Sequence, residues 1–224
     1  MLYLAAETAT PYESVALLED DVLLGERMAL HRRGHGPTVL GAIDALLAEA
    51  GKTLTDLDGL ICGLGPGSFT GLRIALATLK GLAMAHDLPL YGVQTWKALV
   101  AALPHDRVLA LVDAGRGEVY AAGAGIDEPL VIAPEQVSSH LPAGEPPVLL
   151  GSGAVKYRDR WPELIPDCKV PSSAALHVPR AALLYGWIDA SSPAPVGTLE
   201  PRYVRRSDAE INYPDGFPNA LKGG

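Results

Sequence analysis

The sequence is poor in several residue types that usually narrow a function quickly. Aromatic residues make up 6% of its 224 positions and only two are phenylalanine. A core of this size must therefore be built from Leu, Ala and Val. There are two cysteines, Cys62 and Cys168, far apart and in no C-x-x-C pair. That argues against a disulfide framework or a cysteine zinc site and suits a reducing cytoplasm. No apolar run reaches the ~18 residues of a membrane span. The stretch Met1–Glu7 lacks a basic n-region, and its apolar run is only strand-length, so it does not read as a signal peptide. Basic charge is also short: 18 Lys and Arg face 26 Asp and Glu, a formal net charge of −8. A free-standing nucleic-acid binder needs a basic surface to neutralise phosphates, so strong direct binding of RNA or DNA is disfavoured.

What is present is an ordinary globular composition, 48% hydrophobic and 20% charged, long enough for one large domain or two small lobes. Leu2–Ala6 reads as a strand ended by Glu7, followed by a turn over residues 8–11. Two more strands, Ser14–Glu19 and Val22–Glu26, flank an acidic hairpin tip. Residues 31–36 are polar and glycine-rich and read as a loop. Pro37 then opens a helix carrying Val39, Ile43 and Leu47 at helical spacing, with Gly51 as its stop. A buried-type strand over 60–64 runs through Gly65-Pro66-Gly67 to Ser68, a good N-cap for a helix to His86. Leu90–Val93 is a further strand, and Thr95 is placed to cap a helix that Pro104 ends.

The opening pattern then returns. Val108–Val112 is apolar and closed by Asp113, a turn follows, and residues 118–124 form an outgoing strand. Laid against residues 2–7, this suggests an internal repeat and two lobes of related topology. Proline is frequent between 129 and 179. Val148–Leu150 reads as a strand, and residues 179–189 as one apolar helix. The expected division is an N-terminal lobe over 1–105, a C-terminal lobe over 106–200 and an extension over 201–224.

The stretch from Gly63 to Arg73 joins a strand to a helix, where backbone amides can hold an anion. It lacks the Gly-Lys-Ser/Thr of a Walker loop, and no acidic residue ends the next strand to hold a ribose. Ser68 is not flanked as in a nucleophile elbow. From Phe69 to Ala85 the only charges are Arg73 and Lys80. Gly71 and Ala75 are four apart, as are Ala77, Gly81 and Ala85, and such small residues let helices approach closely. A helix apolar almost all round should be buried on more than one side.

These residues carry a family resemblance. Gly65-Pro66-Gly67-Ser68-Phe69-Thr70-Gly71-Leu72-Arg73 with Lys80-Gly81-Leu82-Ala83, the opening Ala6-Glu7-Thr8-Ala9-Thr10, and Val112-Asp113-Ala114-Gly115-Arg116-Gly117-Glu118-Val119-Tyr120 resemble the signature of the TsaB (YeaZ) family. The specific motifs cover residues 1 to 125. The resemblance implies an α/β, actin/Hsp70-like (RNase H-like) fold of two lobes. It also implies a non-catalytic subunit in threonylcarbamoylation of adenosine 37 of ANN-decoding tRNAs. The implied partners are the catalytic paralogue TsaD and the ATPase TsaE, with tRNA reached only through the complex. Two departures bear on chemistry. Glu7 stands where the family usually has Asp, and one extra methylene would misplace a carboxylate that positions a metal–phosphate group. The paralogue's His-x-x-x-His metal pair maps onto Thr95 and Leu99, and neither replaces an imidazole at a metal.

No cofactor or metal is expected, therefore, and the predicted work is partner binding by the helices over 38–50 and 68–86. The contact candidates are Val39, Ile43, Leu47, Phe69, Leu72, Arg73 and Leu76, with the inward-facing ones left open, and the lone chain is expected to form a two-fold dimer. The rival is an ATP-dependent phosphotransferase or hydrolase in which Glu7 and Asp113 face each other across a cleft. The alternative for those two carboxylates is that each caps turn amides at a strand end. His31 and His35 sit in a glycine-rich loop without an acidic third ligand and read as solvated rather than as a metal site. Arg202, Arg205 and Arg206 form the main basic cluster, read as a solvated face.

Overall fold

The computed structural model describes residues 1–31 and 38–204. Strand β1 (Leu2–Glu7) is buried along its whole length. Its two faces serve two cores. Leu2, Leu4 and Ala6 point into one cluster, Tyr3 and Ala5 into another on the opposite side of the sheet. A strand covered on both faces must be apolar at every position, which is why this one reads as a continuous hydrophobic run. It pairs antiparallel with β2 (Tyr12–Glu19) and parallel with β4 (Gly59–Gly63). With β3 (Val22–Leu30) and β5 (Leu90–Val93) it forms a sheet of order β3-β2-β1-β4-β5.

Two helices cover one face of that sheet. Helix α1 (Thr38–Glu49) ends as predicted, with Gly51 at a positive φ of 63° and Lys52 N–H donating to the Leu47 carbonyl at 2.9 Å. That is the left-handed stop that glycine favours. Helix α2 (Phe69–His86) begins at its predicted cap, Ser68, whose Oγ accepts from Gly71 N at 3.2 Å. Helix α3 (Thr95–Val100) is short and sits between two cores. Ala98 packs in the first lobe and Leu99 in the second.

The second sheet contains β6 (Val108–Gly115), β7 (Glu118–Gly123), β8 (Ile126–Ile132) and β9 (Val148–Leu150), in the order β8-β7-β6-β9. Antiparallel pairs join β6, β7 and β8, and β9 adds parallel to β6. This is the connectivity of β3-β2-β1-β4, so the repeat suggested by residues 2–7 and 108–113 is present in the topology. Three short helices complete this lobe: α4 (Val137–His140), α5 (Ser152–Lys156) and α6 (Trp161–Leu164). Trp161 is buried at its core and donates Nε1–H to the Ala154 carbonyl at 3.0 Å.

Three local expectations are corrected, and one strand is added. Strand β6 does not stop at Asp113 but runs through it to Gly115. Strand β8 was hidden by Pro129, which is tolerated because β8 is an edge strand paired only with β7. The helix expected over 179–189 is a 3-10 stretch, Ala181–Trp187, held to the first sheet by Ala181 N–H donating to Ser14 Oγ at 2.8 Å. The cap of α3 is Gln94, because the Thr95 hydroxyl is engaged elsewhere. The packing also divides the chain differently from a cut at 105 and 200. Ala181 and Leu184 fill the core against Tyr3, Ala5 and Ile61, and Leu199 joins the cluster under α2. The chain beyond residue 180 thus returns to the first lobe.

Candidate functional site

The predicted pair of carboxylates sits at equivalent places, near the ends of β1 and β6. Each accepts a backbone N–H two residues on: Glu7 Oε1 from Ala9 at 2.6 Å, Asp113 Oδ1 from Gly115 at 3.1 Å. This is turn capping, repeated in both lobes. The two groups do not face each other. Glu7 has no solvent exposure, and its Oε2 accepts from the Thr95 hydroxyl at 2.8 Å. Burial raises its pKa to about 7, against hydrogen bonds from Ala9, Thr95 and Thr8 that pull the other way. Gly63 makes room for it, since a Cβ there would lie 1.9 Å from Glu7 Oε2.

Asp113 alone of the two lines the cleft between the lobes, a cavity of about 310 Å³ bordered also by Thr10, Ser68, Tyr120 and Ser152. Lys156 Nζ donates to both of its oxygens, at 2.8 and 2.9 Å, and this contact raises the lysine pKa. Sequence reasoning missed Lys156, which lies 43 residues away on α5. Nothing local announces such a partner.

The glycine loop is similarly occupied by the protein itself. Gly65 N–H donates to the Thr95 hydroxyl at 3.0 Å, Ser68 N–H to the Ala9 carbonyl at 2.7 Å, and Gly71 N–H to Ser68 Oγ. The turn after β1 lies directly on this loop, so a Cβ at Gly67 would sit 2.2 Å from the Ala9 oxygen. Three amides that an anion would need are already satisfied internally. Thr95 and Leu99 are both fully buried, one bridging Glu7 to the loop and the other packed in the second core. Among the described residues no group of three or more His, Cys, Asp or Glu side chains comes together. His31 Nε2 lies 3.3 Å from Glu13 Oε2, and His35, Arg205 and Arg206 lie outside the described residues. Among those residues, no helix is long and apolar enough to cross a membrane.

The helical contact candidates separate cleanly. Val39, Ile43, Leu47, Leu72 and Leu76 are buried in the first core. They are not available to a partner, and this corrects that part of the contact set. Phe69 and Arg73 remain at the surface. The two sets of small residues fall on different faces of α2: Gly71 and Ala75 point inward, while Ala77, Gly81 and Ala85 are exposed beside Met84, which is 78% exposed. The helix is apolar all round because its outer face is apolar as well as its inner one.

A family model for tRNA N6-adenosine threonylcarbamoyltransferase, TsaD, matches residues 29–135. The tRNA threonylcarbamoyladenosine biosynthesis protein TsaB of Escherichia coli is 39% identical over 132 residues, 57% of each chain. The structure of YeaZ from Pseudomonas aeruginosa superposes with a TM-score of 0.77 at 30% identity, covering 90% of this chain and 99% of that one. This chain belongs to the TsaB (YeaZ) family. Component A of (R)-2-hydroxyglutaryl-CoA dehydratase from Acidaminococcus fermentans, at 10% identity and TM-score 0.52, covers 86% of this chain and 100% of its own. At that distance the likeness concerns the fold alone, which is actin/Hsp70-like with two mixed sheets.

Proposed function

We propose that this chain is a non-catalytic scaffold subunit in threonylcarbamoylation of adenosine 37 of ANN-decoding tRNAs. It binds a TsaD-type catalytic paralogue and, with it, a TsaE-type ATPase. The observation that carries this reading is the outer face of α2, where Phe69, Arg73, Ala77, Gly81 and Met84 are exposed along one side of an 18-residue helix. Small side chains at Ala77 and Gly81 permit close approach of a second helix, and an apolar face of this size calls for a cover. The buried Glu7 and the lysine-paired Asp113 support the non-catalytic part, because neither is free to hold a metal–phosphate group.

Co-purification with the TsaD-type paralogue of the same organism tests the proposal. Ala77→Arg, which places a charge on the outer face without touching the core, should abolish capture and leave the melting temperature within a few degrees. Light scattering of the lone chain should show a two-fold dimer through the same face. A strictly monomeric protein that also fails to bind the paralogue sinks the reading. The enzyme alternative is separated by calorimetry with Mg²⁺-ATP: micromolar binding, with turnover abolished by Asp113→Ala, would replace the scaffold with a phosphotransferase or hydrolase.

A further inference from the structure

The segment before the end of the described chain runs back along α2. Lys80 Nζ donates to the Gly197 carbonyl at 3.5 Å, Leu199 is buried in the first core, and Arg202 N–H donates to the Leu64 carbonyl at 2.7 Å. Tyr203 then lies on the first turns of α2. Its ring is 5.0 Å from that of Phe69, at an interplanar angle of 31°. Its hydroxyl accepts from Arg73 Nε at 2.9 Å. The Arg73 guanidinium sits 3.8 Å over the Phe69 ring. Beyond it, Arg202 pairs with Glu128 on β8 at 2.6 Å, and Val204 packs against the second-lobe core.

This strap covers one end of the face that the scaffold reading assigns to a partner. Ala77 to Ala85 is bare, but at 1.5 Å per residue it spans only about 12 Å. Phe69 to Ala85 would span about 24 Å. A partner helix laid along Ala77 and Gly81 and continued toward Phe69 meets the Tyr203 ring. The contacts holding the ring are exposed ones, and exposed cation–π pairs and surface ion pairs are individually weak. Leu199, just before Pro201, would stay anchored if residues 202–204 lifted.

We infer that residues 201–204 are an autoinhibitory strap: Tyr203 occupies the N-terminal third of the docking face of α2 and is displaced when a partner helix lies along it. The inference rests on the scaffold reading. Its test is the affinity for a second copy and for the TsaD-type paralogue, by sedimentation velocity, in the wild type, Tyr203→Ala and Arg202→Ala/Tyr203→Ala. The variants should bind threefold to tenfold more tightly, with far-UV circular dichroism unchanged. Unchanged or weaker binding overturns the strap, since a tyrosine that contributes to the interface would weaken it on removal. A second experiment fixes the strap in place. In a Cys168→Ser background, Phe69→Cys/Tyr203→Cys joined by a short bismaleimide should lose at least tenfold in affinity relative to the unlinked pair. Equal affinity before and after linking also overturns the strap. If neither wild type nor variants associate with anything, the scaffold reading falls as well. If the wild type associates and the variants do not improve on it, only the strap falls.

Discussion

Glu7 is a residue whose chemistry the fold alters strongly. A carboxyl with no solvent exposure favours its neutral form, and burial raises its pKa to about 7. The folded state therefore holds a proton that the unfolded chain releases above about pH 4.3. The stabilisation from that proton is complete below the unfolded value and is lost as pH rises toward about 7. The size of the loss is on the order of 3 kcal/mol between pH 4 and 8. Glu7→Gln keeps the acceptor toward Ala9 and cannot ionise. It should raise the melting temperature at pH 8, leave it nearly unchanged at pH 5, and flatten the difference between them in calorimetric scans. A wild type whose stability rises from pH 5 to 8 by the amount carried by this site would contradict the assignment. Gly63→Ala is the complementary change. With a Cβ 1.9 Å from Glu7 Oε2, the carboxyl or the strand must move, at a cost of about 2–4 kcal/mol. Denaturant titration would measure it.

At the scale of elements, α2 makes two opposed predictions from one helix. Leu79 is fully buried among Leu4, Leu60 and Ile43 in the first core. Leu79→Ala should cost about 2–5 kcal/mol in stability and weaken association only through unfolding. Gly81→Arg lies on the exposed side, where an added Cβ meets nothing within 4 Å. It should leave stability unchanged or slightly higher, since glycine in a helix interior costs about 1 kcal/mol, while association is lost. Urea titration paired with sedimentation separates the two. The inward and outward sets of small residues look alike in the sequence, because Gly71/Ala75 and Ala77/Gly81 share the same spacing. Their offset of six residues is about 600° of helical rotation, or roughly 120° from each other's stripe. Only the position of the sheet says which stripe is covered.

For the whole molecule, the return of residues 181–199 to the first lobe decides how the two lobes unfold. Leu184 packs with Tyr3 and Ile61, and α3 gives Ala98 to one core and Leu99 to the other. The lobes are thus joined through shared side chains as well as through a linker. Unfolding should be one cooperative transition. Tryptophan fluorescence, with Trp161 and Trp96 packed in the second-lobe cores and Trp187 at the end of the stretch that returns to the first, should coincide with circular dichroism across a urea titration. Two resolved transitions would show that the lobes unfold independently.

Much of the architecture was legible from residues 1 to 125, where apolar runs, Gly51, Ser68 and the two acid-ended strands state local preferences that the fold obeys. These are short-range effects: strand patterning, a left-handed stop, a hydroxyl cap. The local rules failed where a distant partner outweighed them. Thr95 should cap its own helix but bonds to Glu7, 88 residues away. Pro129 should break a strand but sits at an unpaired edge, and residues 181–187 tighten to a 3-10 stretch against the first sheet. Residue patterning alone carried the family resemblance, the suggestion of a repeated strand–acid–turn–strand unit and the place of α2. The tertiary structure alone decided that five of the seven contact candidates face inward, that Glu7 is sealed from the cleft, that Lys156 neutralises Asp113, and that Tyr203 lies across Phe69 and Arg73. Each of those depends on which surfaces meet after the chain closes on itself, and spacing along the chain does not carry that information.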